Sequence, residues 1–307
     1  MTSFACVFPG QGSQKVGMGK DLFDAYADVR DLFHQAQGIL GLDLAKICFE
    51  GPDEELVKTS HAQPAIFLIS IALFNQLKKG GFTPKVVAGH SLGEITAYVA
   101  AESLSVEQGL FLIQERGAAM AAAYPSEDSG MAAVLGSTRE RIQDVLDSAP
   151  LVPYTVVIAN DNCPNQIVIS GEKEGVSVAS ALLKEQGAKL ISLNVSGAFH
   201  SPLMLNATQR LQKSFHNLQF AKAKIPIVLN RTARIETEPQ ALHENVSLQV
   251  SSPVQWTETI RLLDTLVDVI VEVGPGKVLS GLIRKTLAEK EQQNVSDLAS
   301  LEGFGKE

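Results

Sequence analysis

The pentapeptide Gly89-His90-Ser91-Leu92-Gly93 has the spacing of a sharp turn that exposes a serine nucleophile between a strand and a helix. A β-branched run begins at Val86 before it, and a helix-forming apolar stretch begins at Ile95 after it. Glycine is expected two residues before and two after Ser91, because side chains there would strike the neighbouring strand or helix. The pattern predicts a serine nucleophile for a hydrolase or a transferase. The alternative is that Ser91 is only a helix N-cap.

Two backbone segments could stabilise an oxyanion formed by attack from Ser91. The N–H of Leu92 is expected at a helix N-terminus, where it can donate to developing negative charge. The glycine-rich loop Pro9–Gly19 exposes its backbone, and Gln11 in it could supply a second donor; otherwise the loop is a flexible turn. Nucleotide-binding motifs do not fit this loop, because a dinucleotide fingerprint needs glycine at Lys15 and a Walker motif needs Lys-Ser/Thr at Met18-Gly19.

A serine nucleophile needs a general base, and His200 is the histidine best placed for that role. It lies in a loop of small residues at the join of two predicted domains, a favoured location for active sites. His90 is adjacent to Ser91, but neighbouring side chains on a tight turn diverge, so we expect it to pack locally. Ordinary core or solvated positions are expected for His34, His216 and His243.

No carboxylate completes a catalytic triad in the sequence. Asp161 lies in the predicted small domain, and Asp264 and Asp268 follow His200, which breaks the Ser-Asp-His chain order of α/β-hydrolases. A Ser–His dyad is therefore expected, with the histidine held by a group other than a carboxylate.

Arg116 places a positive charge on an otherwise apolar helix face, where an unpaired charge would be costly. The apolar residues at helical spacing from it are Leu112, Ile113 and Met120. Its partner is either a structural carboxylate, such as Glu94 or Glu115, or a substrate carboxylate gripped by both arms of the guanidinium. The residues alone leave both possibilities open.

Composition narrows the class of protein. The chain has 307 residues, 45% of them hydrophobic, which is enough for a sizeable core, and its net charge of −8 argues against nucleic acid as a partner. Three cysteines without Cys-x-x-Cys spacing suggest neither a disulfide framework nor a zinc site, so the cytoplasm fits best. The start Met1–Phe8 lacks a signal-peptide pattern, and the longest apolar run, Ala65–Phe74, is too short to span a membrane.

The elements that position these residues alternate between strand and helix. The main predicted helices are Asp21–Leu40, Pro64–Lys79, Val106–Ala123, Leu203–Asn217, Trp256–Leu266 and Val278–Leu287, and the flanking strands are Phe4–Phe8, Ile225–Leu229 and Val267–Val273. We expect the tail after Lys290 to be loose.

The segment from Met131 to Val195 has the order β-α-β-β-α-β, ending in a strand over Ala188–Val195. This is the order of a ferredoxin-like split βαβ unit. It predicts a small inserted domain at residues 129–196 within a larger α/β domain made of 1–128 and 197–307.

Six motifs in order give the chain a resemblance to the malonyl-CoA:acyl carrier protein transacylases of bacterial fatty acid synthesis, from Phe8 to about Leu287. The motifs are Phe8-Pro9-Gly10-Gln11-Gly12-Ser13-Gln14, Gln63-Pro64-Ala65, Gly89-His90-Ser91-Leu92-Gly93-Glu94, Gln114-Glu115-Arg116-Gly117, Gly197-Ala198-Phe199-His200-Ser201 and Glu272-Val273-Gly274-Pro275-Gly276-Lys277. The resemblance implies an α/β-hydrolase-like large domain with a parallel sheet and an inserted ferredoxin-like (βαββαβ) small domain.

The resemblance also implies a ping-pong reaction. Ser91, deprotonated by His200, would attack the thioester of malonyl-CoA, and the malonyl ester would pass to the phosphopantetheine thiol of acyl carrier protein. The family's pattern assigns the oxyanion donors to the N–H groups of Gln11 and Leu92 and the malonyl carboxylate to Arg116.

A backbone carbonyl at Gln249 is the group that the resemblance assigns to orienting the histidine, which would explain the missing acid. No cofactor or metal is expected, since phosphopantetheine is carried by the acceptor protein. The expected partners are malonyl-CoA and acyl carrier protein, with neither nucleic acid nor membrane. A stand-alone acyltransferase of a polyketide synthase would share every motif, and a serine esterase or thioesterase would share the turn but release acid to water. A third alternative is a catalytically silent scaffold.

Overall fold

A computed structural model describes residues 2–193, 195 and 197–305. In chain order its strands are β1 (Phe4–Phe8), β2 (Val86–Gly89), β3 (Ser129–Leu135), β4 (Val156–Cys163), β5 (Gln166–Glu172), β6 (Lys189–Ser192), β7 (Ile227–Val228), β8 (Ile235–Glu236), β9 (Val254–Gln255), β10 (Val269–Val273) and β11 (Glu291–Val295).

The helices pack against these strands and against one another. They are α1 (Lys20–Ala25), α2 (Ala27–Leu40), α3 (Leu44–Glu50), α4 (Asp53–Leu56), α5 (Thr59–Lys79), α6 (Leu92–Ala100), α7 (Val106–Ala123), α8 (Arg139–Leu146), α9 (Lys173–Glu185), α10 (Leu205–Ser214), α11 (Pro239–Leu248), α12 (Trp256–Leu266), α13 (Val278–Thr286) and α14 (Leu298–Gly303). The chain is thus an α/β protein, as the sequence predicts.

A six-stranded sheet in the order β11-β10-β1-β2-β7-β8 carries the Gly-x-Ser-x-Gly turn. Its strands are parallel except for the β7–β8 pair, and β1 lies between β10 and β2 with Phe8 opposite Gly89. Parallel strands bring their carboxyl ends to one edge, so the loops that follow β1, β2 and β7 meet there. The glycine-rich loop and the serine turn are therefore neighbours.

The second sheet has five strands in the order β6-β3-β5-β4-β9. Its first four strands pair antiparallel and, with α8 and α9, follow the predicted β-α-β-β-α-β order. The short strand β9 adds in parallel to β4 from well beyond the predicted inserted segment, a pairing that the sequence pattern does not predict. The predicted strand Ala188–Val195 is shorter, at Lys189–Ser192, and Asn194 and the predicted boundary residue Ser196 lie outside the described residues.

Helix α5 is the buried central helix, with every residue from Ala62 to Phe74 buried. The prediction that it starts at Pro64 is wrong, because the helix begins at Thr59 and Pro64 lies inside it. Proline removes one helical hydrogen bond, but burial of the central part of the helix stabilises it enough to tolerate that loss.

Two other predictions about helices and termini are corrected by the structure. The predicted helix Asp21–Leu40 is interrupted at Tyr26, whose extended backbone (φ −119°, ψ 127°) separates α1 from α2. The tail after Lys290 is not loose: β11 extends the parallel sheet, and Phe304 after α14 packs against the rings of Phe4 and Phe82. An edge strand and an aromatic cluster thus anchor it.

None of the helices in the described part of the chain combines the length and the apolar character that a membrane span requires.

Candidate active site

Ser91 occupies a strained backbone conformation between β2 and α6. Its φ of 50° and ψ of −104° lie where a non-glycine residue costs on the order of 1–3 kcal/mol. A Cβ on Gly89 would lie 1.9 Å from the carbonyl oxygen of Gly93, and a Cβ on Gly93 would lie 2.1 Å from that of Phe8. The predicted need for glycine on both sides is therefore confirmed.

The side chain of Ser91 does not cap the helix that it precedes. Ser91 stands at the N-cap position of α6, yet its hydroxyl makes no capping hydrogen bond there. Instead its Oγ lies 2.8 Å from Nε2 of His200 and 3.0 Å from Nη2 of Arg116. Ser91 is therefore not a simple helix N-cap.

His200 is held by the backbone of a turn that lies next to α11. Its own N–H donates to the carbonyl of Val250 at 2.9 Å, and its side chain is almost fully buried. Its Nδ1 lies 3.1 Å from the carbonyl oxygens of both Gln249 and Ser252. Carbonyl oxygens only accept hydrogen bonds, so Nδ1 carries the proton and Nε2 is free to accept from the Ser91 hydroxyl.

Within the part of the chain that the structure describes, no carboxylate bonds to His200. Asp264 pairs with Lys290 at 2.9 Å, and Asp268 accepts from the N–H of Ser3 at 2.7 Å. Asp161 lies 3.1 Å from a surface arginine, Arg139. The carbonyl of Gln249 lies where the resemblance implies it, whereas that of Ser252 was not anticipated.

Burial lowers the pKa of His200 to about 3, and the positive charge of Arg116 contributes to the same shift. Both effects disfavour an imidazolium ion in an enclosed site. The ring is therefore neutral near pH 7, which is the state in which it can accept a proton from Ser91.

Arg116 lies in the interior with only neutral hydrogen-bond partners. Its side chain is 2% exposed. Nη1 donates to the Oε1 of Gln63 at 3.2 Å, and Nη2 donates to the Oε1 of Gln249 at 3.0 Å as well as to Ser91. Its Nε has no hydrogen-bond partner among the described residues. A buried guanidinium with a spare donor beside a nucleophile is suited to bind an anionic substrate group.

Neither of the carboxylates considered as structural partners forms an ion pair with Arg116. Glu115 accepts from the hydroxyl of Ser214 at 2.9 Å. Glu94 lies beneath the turn, where burial raises its pKa to about 7 and the charge of Arg116 opposes that rise. Burial also lowers the pKa of Arg116 to about 10, with Glu94 opposing. Glu94 and Arg116 thus stabilise each other's charged forms electrostatically, although no hydrogen bond or ion pair joins their side chains.

Two backbone N–H groups beside Ser91 are available to a ligand. Those of Gln11 and Leu92 donate no hydrogen bond to another described residue, and both residues line the cleft that contains Ser91. The Gln11 side chain is already engaged, since its Nε2 donates to Thr59 at 3.2 Å and its Oε1 accepts from Gln63 at 3.4 Å. An oxyanion donor from Gln11 would therefore be its backbone N–H.

His90 turns away from the serine, as expected for a neighbour on a tight turn. Its Nε2 lies 2.7 Å from the Oδ1 of Asn162, and its ring packs edge-on against Trp256 with centroids 5.3 Å apart. Burial lowers the pKa of His90, so it is a neutral packing residue.

The cleft that contains these residues has a volume of about 1280 Å³. It lies between the two sheets and is lined on the side of the five-stranded sheet by Met131, Asn160, Leu193 and Val195. The volume exceeds that of a typical small-ligand pocket and suits a long substrate. Across residues 2–193, 195 and 197–305, no group of three or more His, Cys, Asp and Glu side chains is arranged to hold a metal ion.

Comparison with known proteins links this chain to one family. A family model described as acyl transferase domain matches residues 5–303. The malonyl CoA-acyl carrier protein transacylase of Bacillus subtilis is 42% identical over 304 residues, covering 98% of this chain and 96% of the relative. That of Haemophilus influenzae is 40% identical over 304 residues, covering 98% and 97%.

Solved structures resemble the chain over nearly its whole length. An acyl carrier protein S-malonyltransferase from Vibrio cholerae superposes with a TM-score of 0.93 at 38% identity, covering 98% of this chain and 99% of the other. A malonyl-transacylase in complex with a type II PKS acyl-carrier protein superposes with a TM-score of 0.91 at 37% identity, covering 98% of each chain.

Proposed function

This chain belongs to the acyl transferase domain family, and from that premise we propose that it moves a malonyl group from malonyl-CoA to the phosphopantetheine thiol of acyl carrier protein. Relatives named malonyl CoA-acyl carrier protein transacylase cover nearly the whole chain at 36–42% identity. The observation that carries the proposal is the buried Arg116 guanidinium, 3.0 Å from the hydroxyl of Ser91 and bonded only to neutral groups.

In the first half-reaction, Ser91 gives its proton to Nε2 of His200 as Oγ attacks the thioester carbon of malonyl-CoA. The N–H groups of Gln11 and Leu92 then hold the oxyanion of the tetrahedral intermediate. The carbon–sulfur bond breaks, and His200 returns its proton to the departing thiolate of CoA. Ser91 is left as a malonyl ester.

In the second half-reaction, the phosphopantetheine thiol of the acceptor gives its proton to His200 and attacks the ester carbonyl. The carbon–oxygen bond to Ser91 breaks, and His200 returns the proton to Oγ. The chain itself needs no cofactor, because the acceptor carries the phosphopantetheine.

Arg116 has two roles in this scheme. It binds the malonyl carboxylate by charge-assisted hydrogen bonds, which an acetyl group could not form. Once that carboxylate is bound, its charge offsets the guanidinium charge that lowers the pKa of His200. Binding of malonyl therefore makes the base stronger at the moment when it must accept a proton.

We also propose the finer architecture that accompanies this function. The strand order β6-β3-β5-β4 supports a ferredoxin-like unit at residues 129–196. The parallel sheet with the serine turn after β2 supports an α/β-hydrolase-like domain made of 1–128 and 197–307. The cleft between the sheets then places substrate at the junction of the two domains.

Other functions are less well supported. A serine esterase or thioesterase would transfer the acyl group to water, but the relatives that cover the chain are named as transacylases. A polyketide acyltransferase would use the same residues, but the curated relatives are named as malonyl CoA-acyl carrier protein transacylases and not as polyketide enzymes. A silent scaffold would leave the Ser91–His200 contact without purpose.

Intact-mass spectrometry after mixing with malonyl-CoA tests the proposal directly. We expect the wild-type protein to gain the mass of one malonyl group, Ser91→Ala to gain none, and Ser70→Ala, at a serine buried in α5, to behave as wild type. Adding acyl carrier protein with its phosphopantetheine should remove the adduct and yield the malonyl thioester. Absence of an adduct on the wild type, or its conversion to free malonate without an acceptor, would refute the transferase assignment.

A further inference from the structure

One buried carboxamide, that of Asn230, spans the strained backbone of Ser91. Its Oδ1 accepts from the Ser91 N–H at 2.7 Å, and its Nδ2 donates to the carbonyl of Gly89 at 2.6 Å. The residue is fully inaccessible to solvent. The bonds fall on the two peptide groups that lead into the left-handed turn, so they fix the direction in which the chain enters Ser91.

The sheet explains how a residue so distant in sequence reaches the turn. Strand β7 pairs in parallel with β2, with Val228 opposite Ala88, and Asn230 follows β7 by two residues. Gly89 and Ser91 leave β2 at the same edge. Asn230 is therefore held beside the turn by strand pairing and not by a flexible side-chain reach.

The backbone of Asn230 is in turn anchored to a buried carboxylate. Its N–H donates to Oε2 of Glu94 at 2.5 Å, and Glu94 is in the first turn of α6. The other oxygen of Glu94 accepts from Tyr98 and from Asn245, each at 2.8 Å. The donors around this carboxylate connect the end of β7 to the helix that starts at the nucleophile.

We propose that Asn230 is a positioning residue for the nucleophile, which holds the Ser91 backbone so that Oγ points at His200 and the Leu92 N–H stays free for the oxyanion. This inference rests on the proposed function of Ser91. A carboxamide suits the task because it offers an acceptor and a donor on one carbon, which matches an N–H and a C=O of one chain segment. Ser91 is held from its other side by Gln249, whose Nε2 donates to the Ser91 carbonyl at 2.9 Å.

The test is the rate at which Ser91 is acylated, measured separately from substrate binding. Asn230→Ala and Asn230→Asp are mixed with saturating malonyl-CoA, quenched in acid at millisecond times, and weighed intact. We expect acylation to slow by about 10-fold to 10²-fold in both variants, because a displacement of the reacting atom by about 1 Å costs that much. Asn230→Asp keeps the acceptor for the Ser91 N–H but loses the donor to Gly89, so it tests the inference even if the alanine variant does not fold.

Binding of malonyl-CoA is measured in the Ser91→Ala background, with and without the change at Asn230. We expect its Kd to change by less than about threefold, because Asn230 contacts the turn and not the cleft. The matched control is Asn294→Ala, since Asn294 also donates to a backbone carbonyl, that of Gly276 at 2.9 Å, beside a buried glutamate, Glu272. That variant should acylate as wild type does, whatever its melting temperature.

Acylation by both Asn230 variants within about twofold of wild type would overturn the inference. So would a loss of acylation matched by an equal loss of binding, since that is the mark of a general structural defect. Failure of the proposed function looks different, because the wild-type protein itself would then acquire no malonyl group on Ser91.

Discussion

The guanidinium of Arg116 donates to the hydroxyl of Ser91 over 3.0 Å, although Ser91 precedes α6 and Arg116 lies within α7, 25 positions further along the chain. The group proposed to bind the substrate carboxylate therefore touches the atom that is to be acylated. A malonyl ester on Ser91 has its carboxylate only two carbon–carbon bonds from the ester carbonyl. The short distance between nucleophile and guanidinium thus fits the proposed selection of a short diacid.

Arg116→Ala should separate substrate selection from folding. Losing a charge-assisted contact worth about 1.5–3 kcal/mol should lower kcat/KM for malonyl transfer at least about tenfold. Acetyl transfer should hold or rise, because the pocket no longer contains a charge that acetyl would leave unpaired. The measurement is kcat/KM for malonyl-CoA and acetyl-CoA, with a melting curve for each protein. For Arg116→Lys, which keeps the charge but not the planar fork, kcat/KM for malonyl-CoA should lie between the values of wild type and Arg116→Ala. Equal losses for both substrates, with a lower melting temperature, would contradict the role in specificity.

His200→Ala should slow acylation by about 10²–10⁴-fold, because a positioned general base contributes that much. Asp264→Asn and Asp268→Asn should be nearly silent, since their carboxylates bond to Lys290 and Ser3 and not to the histidine. Steady-state kcat with malonyl-CoA and acyl carrier protein provides the comparison. A collapse of activity in either asparagine variant, in a protein that folds normally, would restore a carboxylate triad.

Acidification should weaken the fold through His200. Its pKa is about 3 in the folded protein, below the ordinary value of about 6.5 expected when unfolded, so the unfolded state binds more protons between those values. The stabilisation by the neutral ring is present above about pH 6.5 and is lost as the pH falls towards 3. Between pH 7 and pH 5, wild type should lose about 2 kcal/mol more of its unfolding free energy than His200→Ala does. Urea melts of both proteins at the two pH values measure this, and parallel losses would show that His200 titrates normally.

Gly93→Ala should disrupt the turn. The added Cβ would lie 2.1 Å from the carbonyl oxygen of Phe8, a backbone atom that cannot move without shifting β1. We expect a melting temperature lower by many degrees and loss of acylation. Gly38→Ala on α2 is the control, because its Cβ meets no atom within 4 Å and alanine favours a helix by up to about 1 kcal/mol. A Gly93→Ala protein as stable as wild type would show that the turn can relax.

Features that depend on neighbours in sequence could be predicted from the chain. The strand, the turn and the helix around Ser91 are contiguous, and the glycine spacing carries the steric requirement of the turn. Helix α7 matches its predicted bounds for the same reason, since a capping box at Ser105 and Gln108 marks its start. Local rules of spacing, capping and propensity decide such elements.

Features that depend on tertiary pairing could not be predicted. Asn230 and Ser252 carry no local signal, because their importance arises only when β7 lies beside β2 and when the loop after α11 reaches His200. The same holds for the last strand, β11, whose polar sequence gives little sign of a sheet until β10 provides a partner. Pro64 misled the prediction of α5 because burial outweighed the rule for helix starts.

The pairing of β1 with β10 also sets the order in which the protein can be assembled during synthesis. Phe4 lies opposite Val269, so the central strand, which can pair with β2 early, gains its second partner only after residue 269 has been made. The strands β3 to β6, by contrast, can pair as soon as residue 192 has left the ribosome. Asn230, which bonds to Ser91, and Gln249, which bonds to His200, also emerge late. Ser91 is therefore synthesised well before the residues that hold it and His200 in place, so the site of the proposed acyl transfer can form only after residue 249 has emerged.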